Sequence, residues 1–309
     1  MVVYYGIDGF KPLKDVVVTQ GTFDGVHLGH QKILRTLVTE AEKDNSESVV
    51  LTFFPHPRMV LFPDDPQVKL IDTMDEKIRL LNQFGVKHLV IQEFNHELSR
   101  LSAFEFVRNE LVTKLGMKKL IVGYDHRFGR NREGDFGQLS EWATIFGFEL
   151  LEISRLDVEE SAVSSTKVRN AIINGDLKTV KGLLGRNYSI SGQVVHGKQL
   201  GRQIGFPTAN IEVKENYKLL PLDGVYAAIV TIDGNKHYGM LNIGLRPTFD
   251  EDKRSIEINV FEFDGNLYNK VLNIELVERI REEKKFEGIE KLKEQLQLDK
   301  EIACQLLGI

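Results

Sequence analysis

Apolar and polar positions follow two different rhythms along the chain. Between residues 15 and 184, short β-branched and aliphatic runs occur at Val16–Thr19, Val49–Phe53, His88–Ile91, Lys119–Val122 and Glu149–Ile153. Between them lie longer stretches with apolar residues at helical spacing, around Gln31–Lys43, Asp75–Phe84, Ser102–Leu115 and Leu139–Phe146. Strands alternating with helices predict a parallel sheet covered on both faces. Ligands of such sheets bind outside the carboxyl ends of the strands. From about Tyr188 the pattern turns to strands and tight turns. Val225–Ile232 and Lys236–Ile243 flank Asp233-Gly234, a two-residue hairpin signal, and Asp264-Gly265 separates Ile256–Phe263 from Val271–Glu278. The end, Gly288 to Leu307, is helical again. About six strands and one terminal helix predict a small β-barrel. The change near Gly182–Arg186, after a helix that Asp176 can cap, predicts domains 1–183 and 184–309.

Composition narrows this picture. Of 309 residues, 42% are hydrophobic and 28% charged, an ordinary globular balance, and the net charge of −5 disfavours nonspecific nucleic-acid binding. Cys304 is the single cysteine, which rules out an internal disulfide and a cysteine-built zinc site and fits a reducing cytoplasm. No stretch approaches the ~18 apolar residues of a membrane span, and no basic segment followed by an apolar one opens the chain.

Gly21-Thr22-Phe23-Asp24-Gly25-Val26-His27-Leu28-Gly29-His30-Gln31 joins the first of these strands to a helix. A strand ending in a glycine turn that enters a helix aims free backbone N–H groups and the positive end of the helix dipole at one point, a ready phosphate site. Gly29, between two histidines, leaves room for a nucleotide to reach the backbone. Polar clusters also follow the later strands: His56-Pro57-Arg58, Gly123-Tyr124-Asp125, and Ser164-Ser165-Thr166 with Lys167 and Arg169. All are expected on one rim. The serines and threonine read equally well as a plain helix cap.

Gly192-Gln193-Val194-Val195-His196-Gly197-Lys198-Gln199-Leu200-Gly201-Arg202-Gln203-Ile204-Gly205 supplies glycines and cations for a flap over phosphates, and runs into Phe206-Pro207-Thr208-Ala209-Asn210. Thr208 and Asn210 share a strand face and offer hard oxygens suited to Mg²⁺. Glu257 alternates with Ile256 and Ile258, as a solvent-facing carboxylate also would.

The run GTFDGVHLGHQ resembles the HxGH segment of bacterial FAD synthetases, and Ser164–Arg169 resembles their SSTxxR segment. Gly205–Asn210 resembles the GFPTAN segment of riboflavin kinases. Together the two sets resemble the prokaryotic bifunctional riboflavin kinase/FAD synthetase family over nearly the whole chain. The resemblance implies an α/β fold: a Rossmann-like nucleotidylyltransferase domain, then a six-stranded β-barrel kinase domain with a terminal helix. It implies ATP-dependent phosphorylation of riboflavin to FMN and adenylylation of FMN to FAD, with pyrophosphate leaving. His27, His30 and Glu257 are then the catalytic residues. Nucleotide-binding residues are Gly21, Phe23, Asp24, Gly25, Gly29, Ser165, Thr166, Arg169, Gly192, Gly197, Lys198, Gly201, Gly205 and Pro207. Flavin-binding residues are His56, Pro57, Arg58, Asp125, Arg279 and Phe286, and Thr208 and Asn210 hold Mg²⁺ with ATP. The family often reads Glu-x-His where this chain has Glu257-Ile258-Asn259. Riboflavin, FMN and ATP are the expected partners, with no nucleic acid and no membrane, and a weak homo-oligomer is admitted. Aminoacyl-tRNA synthetases share HxGH, but their KMSKS segment has no match here. A flavin-binding regulatory module without turnover is the alternative from another class.

Overall fold

The computed structural model describes the chain except residues 12, 14, 66–67, 125–126, 131–132, 154–162, 198–200, 202–203 and 246–253. It divides into two compact units, Met1–Ser165 and Thr166–Ile309.

The first unit is built on six strands: β1 (Val2–Tyr5), β2 (Val16–Gln20), β3 (Glu47–Phe54), β4 (His88–Glu93), β5 (Met117–Gly123) and β6 (Glu149–Ile153). They pair in parallel in the order β1-β4-β3-β2-β5-β6. Helices intervene: α1 (Leu28–Lys43), α2 (Pro57–Leu61), α3 (Met74–Gln83), α4 (His96–Arg100), α5 (Ala103–Glu105) and α6 (Phe136–Phe146). Of these, α1, α3, α5 and α6 fall in the stretches that the periodicity predicts, whereas α2 and α4, five residues each, are too short to show a helical period. Val16 and Val18 belong to one apolar cluster and Val17 to another. That two-residue alternation with both sides buried is what a sheet covered on both faces requires.

Two further features depart from the sequence reading. The reading has five strands, whereas β1 adds a sixth at the sheet edge; its run Val2-Val3-Tyr4-Tyr5 is only four residues long and both its ends are exposed, so it shows no core-facing alternation. The stretch read as one helix over Ser102–Leu115 is α5 followed by a π-helical segment, Phe106–Lys114. From β2 the strand order proceeds outward both ways, to β3 on one side and β5 on the other. The loop leaving β2 therefore sits at a topological switch point, where open α/β sheets form their crevice.

The second unit starts with α7 (Ser165–Ile173, its first residue still in the first unit) and α8 (Leu177–Leu184), which the Asp176 carboxylate caps by accepting from Thr179 N at 3.0 Å. Six antiparallel strands follow: β7 (Tyr188–Val195), β8 (Ala209–Glu212), β9 (Gly224–Ile232), β10 (Asn235–Leu245), β11 (Arg254–Val260) and β12 (Val271–Arg281). They close in the order β10-β11-β8-β7-β12-β9. Asp233 and Gly234 take φ of 50° and 83°, the left-handed pair that a tight β9–β10 hairpin demands. The terminal helix α9 (Ile289–Leu307) packs on β9, β10 and β12. Its Asp299 is fully buried and receives three bonds from Arg281, two from Nε at 2.9 and 3.0 Å and one from Nη2 at 2.7 Å. No described helix is long and apolar enough to cross a membrane.

Candidate functional site

In the first unit, the loop from Gly21 to His27 folds tightly at the end of β2. Phe23, Gly25 and Val26 all have positive φ, at 46°, 87° and 38°. A Cβ on Gly25 would lie 2.8 Å from Ile71 Cδ1, so only glycine fits this bend. His27 caps α1: its Nδ1 accepts from His30 N at 3.3 Å. Accepting at Nδ1 places the proton of neutral His27 on Nε2, which makes that edge a donor. The two imidazoles stack, 3.7 Å between centroids and 15° between planes. Burial, then the charges of His27 and Lys77, hold His30 well below the ordinary value of 6.5. Its buried Nδ1 has no hydrogen-bond partner among the described residues. Leu28 and Gly29 open the helix, and their N–H groups lie where a helix offers donors to an anion.

Beneath the loop lies a cluster that the sequence did not disclose. Lys77, on α3, is 2% exposed and donates to Thr22 O at 2.8 Å. Burial lowers its pKa, while the carboxylates of Asp24 and Asp72 raise it. Asp24 is itself fully buried and accepts from Ile71 N at 3.0 Å. Only helical spacing marks Lys77 in the sequence, where a lysine reads as solvent-facing.

The other predicted residues of this site are distributed as follows. Ser165, the last residue of the first unit, donates from Oγ to Asp24 O at 2.9 Å. Thr166 and Arg169 follow along α7, the first of them opening the second unit. His56 caps α2 by accepting from Arg58 N at 3.1 Å, with Pro57 opening the helix and Arg58 reaching Asp65 at 3.5 Å. Gly21 follows β2, its N–H donating to Leu51 O at 3.0 Å, and the Phe23 ring lies 5.1 Å from that of His30. Asp125 lies outside the described residues.

In the second unit, three predicted residues meet. Thr208 Oγ1 donates to Glu257 Oε2 at 3.0 Å, and Asn210 stands opposite Glu257 in the β8–β11 ladder. Gly197 and Gly201 close over this group. A Cβ on the first would collide with the Asn210 carboxamide, and one on the second with the Phe206 carbonyl beside Thr208. A side chain at Gly197 would therefore displace the Asn210 carboxamide, and one at Gly201 would meet a backbone carbonyl. Gly192 lies in β7 and Gly205 in the turn leading to Phe206 and Pro207. Lys198 and Arg202 lie outside the described residues.

Arg279 donates through Nη2 to Asp223 O at 2.7 Å, and its buried Nε has no hydrogen-bond partner among the described residues. Phe286 lies under the cations of Arg281 and Lys284, each 5.6 Å from its ring centroid. Asn259, which the sequence left without a role, is buried and donates from Nδ2 to Pro207 O at 2.7 Å.

Comparison with known proteins agrees with this two-part arrangement. Residues 10–167 match the FAD synthetase family model and residues 184–307 the riboflavin kinase model. A bifunctional riboflavin kinase/FMN adenylyltransferase of Buchnera aphidicola is 37% identical over 98% of both chains. Its Bacillus subtilis counterpart is 37% identical over 94% of this chain and 92% of that one. A solved Streptococcus pneumoniae structure, described as a macrolide-efflux protein, superposes with a TM-score of 0.88. It is 31% identical and covers 98% of this chain and 99% of its own. With one model matching each half and relatives aligned end to end, the chain belongs to the bifunctional riboflavin kinase/FMN adenylyltransferase family.

Proposed function

We propose that the chain phosphorylates riboflavin to FMN in its barrel and adenylylates FMN to FAD at the HxGH loop, using ATP in both steps, with 1–183 and 184–309 as the functional domains. The observation that carries this reading is a pairing of sites. Thr208 and Asn210 meet Glu257 in one unit, while His27 and His30 stack at a helix N-terminus in the other.

In adenylylation, an FMN phosphate oxygen attacks the α-phosphorus of ATP. That P–O bond forms as the α–β anhydride bond breaks, and pyrophosphate carries away the electron pair. His27 donates from Nε2 to the reacting phosphates, beside the N–H groups that open α1. A depressed pKa keeps His30 neutral at physiological pH, so it acts by hydrogen bonding. Ser165, Thr166 and Arg169 bind the departing pyrophosphate, and His56, Pro57, Arg58 and Asp125 the flavin.

In phosphorylation, Glu257 takes the proton of the ribityl 5′-hydroxyl as its oxygen attacks the γ-phosphorus and ADP leaves. The Thr208 hydroxyl orients the carboxylate through its 3.0 Å bond. Neutral oxygens on Thr208 and Asn210 suit a hard cation that keeps phosphate and water ligands, and these residues would hold Mg²⁺, which supplies charge neutralisation on ATP. Lys198 and the glycines at 192, 197, 201 and 205 cover the nucleotide, while Arg279 and Phe286 border the flavin. A cytoplasmic setting, no nucleic-acid partner and at most weak self-association complete the reading, supported by the lone Cys304 and the net charge of −5.

The test is chromatography after incubation of the full chain with riboflavin and Mg·ATP. FMN should form first and FAD after it, with pyrophosphate released in step with FAD. Flavin binding without either product would turn the reading to a regulatory module.

A further inference from the structure

Thr208, the residue that orients the proposed base, lies just outside the barrel ladder. Strand β8 starts at Ala209, and its pairing with β11 comprises Ala209 with Ile258 and Asn210 with Glu257. One step before β8, no described backbone pairing with β11 holds the chain. Side-chain bonds from β11 take over: Glu257 accepts from the Thr208 hydroxyl at 3.0 Å, and Asn259 Nδ2 donates to Pro207 O at 2.7 Å. Pro207 has no N–H, so its carbonyl is the one backbone hydrogen-bonding group it offers. Asn259 is 6% exposed, and an amide taken so far out of water is held by its bond. Glu257 and Asn259 are two residues apart and so share a face of β11.

We infer that Asn259 is the positioning residue of the kinase site: by gripping the Pro207 carbonyl, it holds the Pro207–Thr208 peptide where the Thr208 hydroxyl meets Glu257. This deepens the proposed kinase reading and rests on it. What the position requires is an N–H donor. Histidine, with a ring N–H of similar reach, meets the requirement; aspartate presents an anion to a carbonyl, and leucine offers nothing.

The experiment compares Asn259→His, Asn259→Asp and Asn259→Leu in the full chain, with Glu257→Gln alongside. FMN formation is followed against riboflavin and Mg·ATP, riboflavin binding by fluorescence quenching, and adenylylation of supplied FMN in the same preparations. Displacing reacting groups by about an ångström costs on the order of 10²-fold. Asn259→Asp and Asn259→Leu should therefore lose about 10- to 100-fold in kcat for FMN formation. They should keep riboflavin affinity within about 3-fold, and Asn259→His should recover most of the rate. Full kcat in the Asp and Leu variants would overturn the inference. So would a His variant as slow as the Leu variant, or loss of riboflavin binding in step with rate, which marks a merely structural residue. If Glu257→Gln leaves FMN formation intact, the base assignment fails, while the Asn259 pattern still decides the positioning role.

Discussion

The Lys77 ammonium, 2% exposed, reaches 2.8 Å to the Thr22 carbonyl and so pins the loop that ends at His27 and enters the helix of His30. Its charge is matched by Asp24 and Asp72, both at most 1% exposed, and it is one of the two charges that lower the His30 pKa.

Removing that ammonium has two measurable effects. Lys77→Met leaves buried carboxylates uncompensated, which typically costs about 3–5 kcal/mol and is read in a denaturant melt. It also removes a cation whose field adds to burial and to His27 in lowering the His30 pKa, and its loss favours imidazolium. The acidic limb of the adenylylation pH profile should move to higher pH. An unmoved limb would separate Lys77 from the electrostatics of His30.

His30 makes stability pH-dependent on its own. Its folded pKa lies below the unfolded value near 6.5, so between the two the unfolded chain binds more protons. Stability present above pH 6.5 is therefore lost as pH falls toward the folded value. His30→Gln should flatten this part of a Tm-against-pH curve.

Activity should separate by unit. His30→Ala should lower FAD formation by about 10²–10³ in kcat and leave FMN formation at the parental rate. Glu257→Gln should lower FMN formation by about 10²–10⁴ and leave adenylylation of supplied FMN intact. Two product assays on each variant check this, and equal damage to both reactions would argue for one shared site.

The point of division matters for stability. Helix α8 packs on β7 and β12 and buries Leu177, Val180 and Leu184. A fragment beginning at Leu184 keeps every proposed kinase residue but loses this cover. It should phosphorylate riboflavin without making FAD, and melt at least ~5 °C below a fragment beginning at Thr166. Equal melting points would show that α7 and α8 contribute nothing to the barrel.

Much of this architecture was legible because it rests on local rules. Alternation gave five strands of the parallel sheet, and Asp233-Gly234 gave the hairpin because a two-residue turn needs left-handed backbone. His27 and His30 stood out through their glycine turn at a helix start. What stayed hidden depends on packing between distant segments. Val2–Tyr5 pairs only at an edge, and Lys77 looks solvent-facing until α3 is laid beneath the β2 loop. Asn259 looks like an ordinary polar strand position until Pro207 is placed against it.

The barrel's two longest strands, β10 and β12, have 11 residues each, whereas β8 has 4. Closure is therefore carried mainly by strands other than the one that bears Asn210. Pro207 and Thr208, just ahead of β8, are tied to β11 by side-chain bonds rather than by the ring of backbone pairing. Folding and turnover thus make different demands on adjacent residues. A substitution at Thr208 is free to silence the enzyme and leave its melting curve almost unmoved, so a stability screen alone would pass it as neutral.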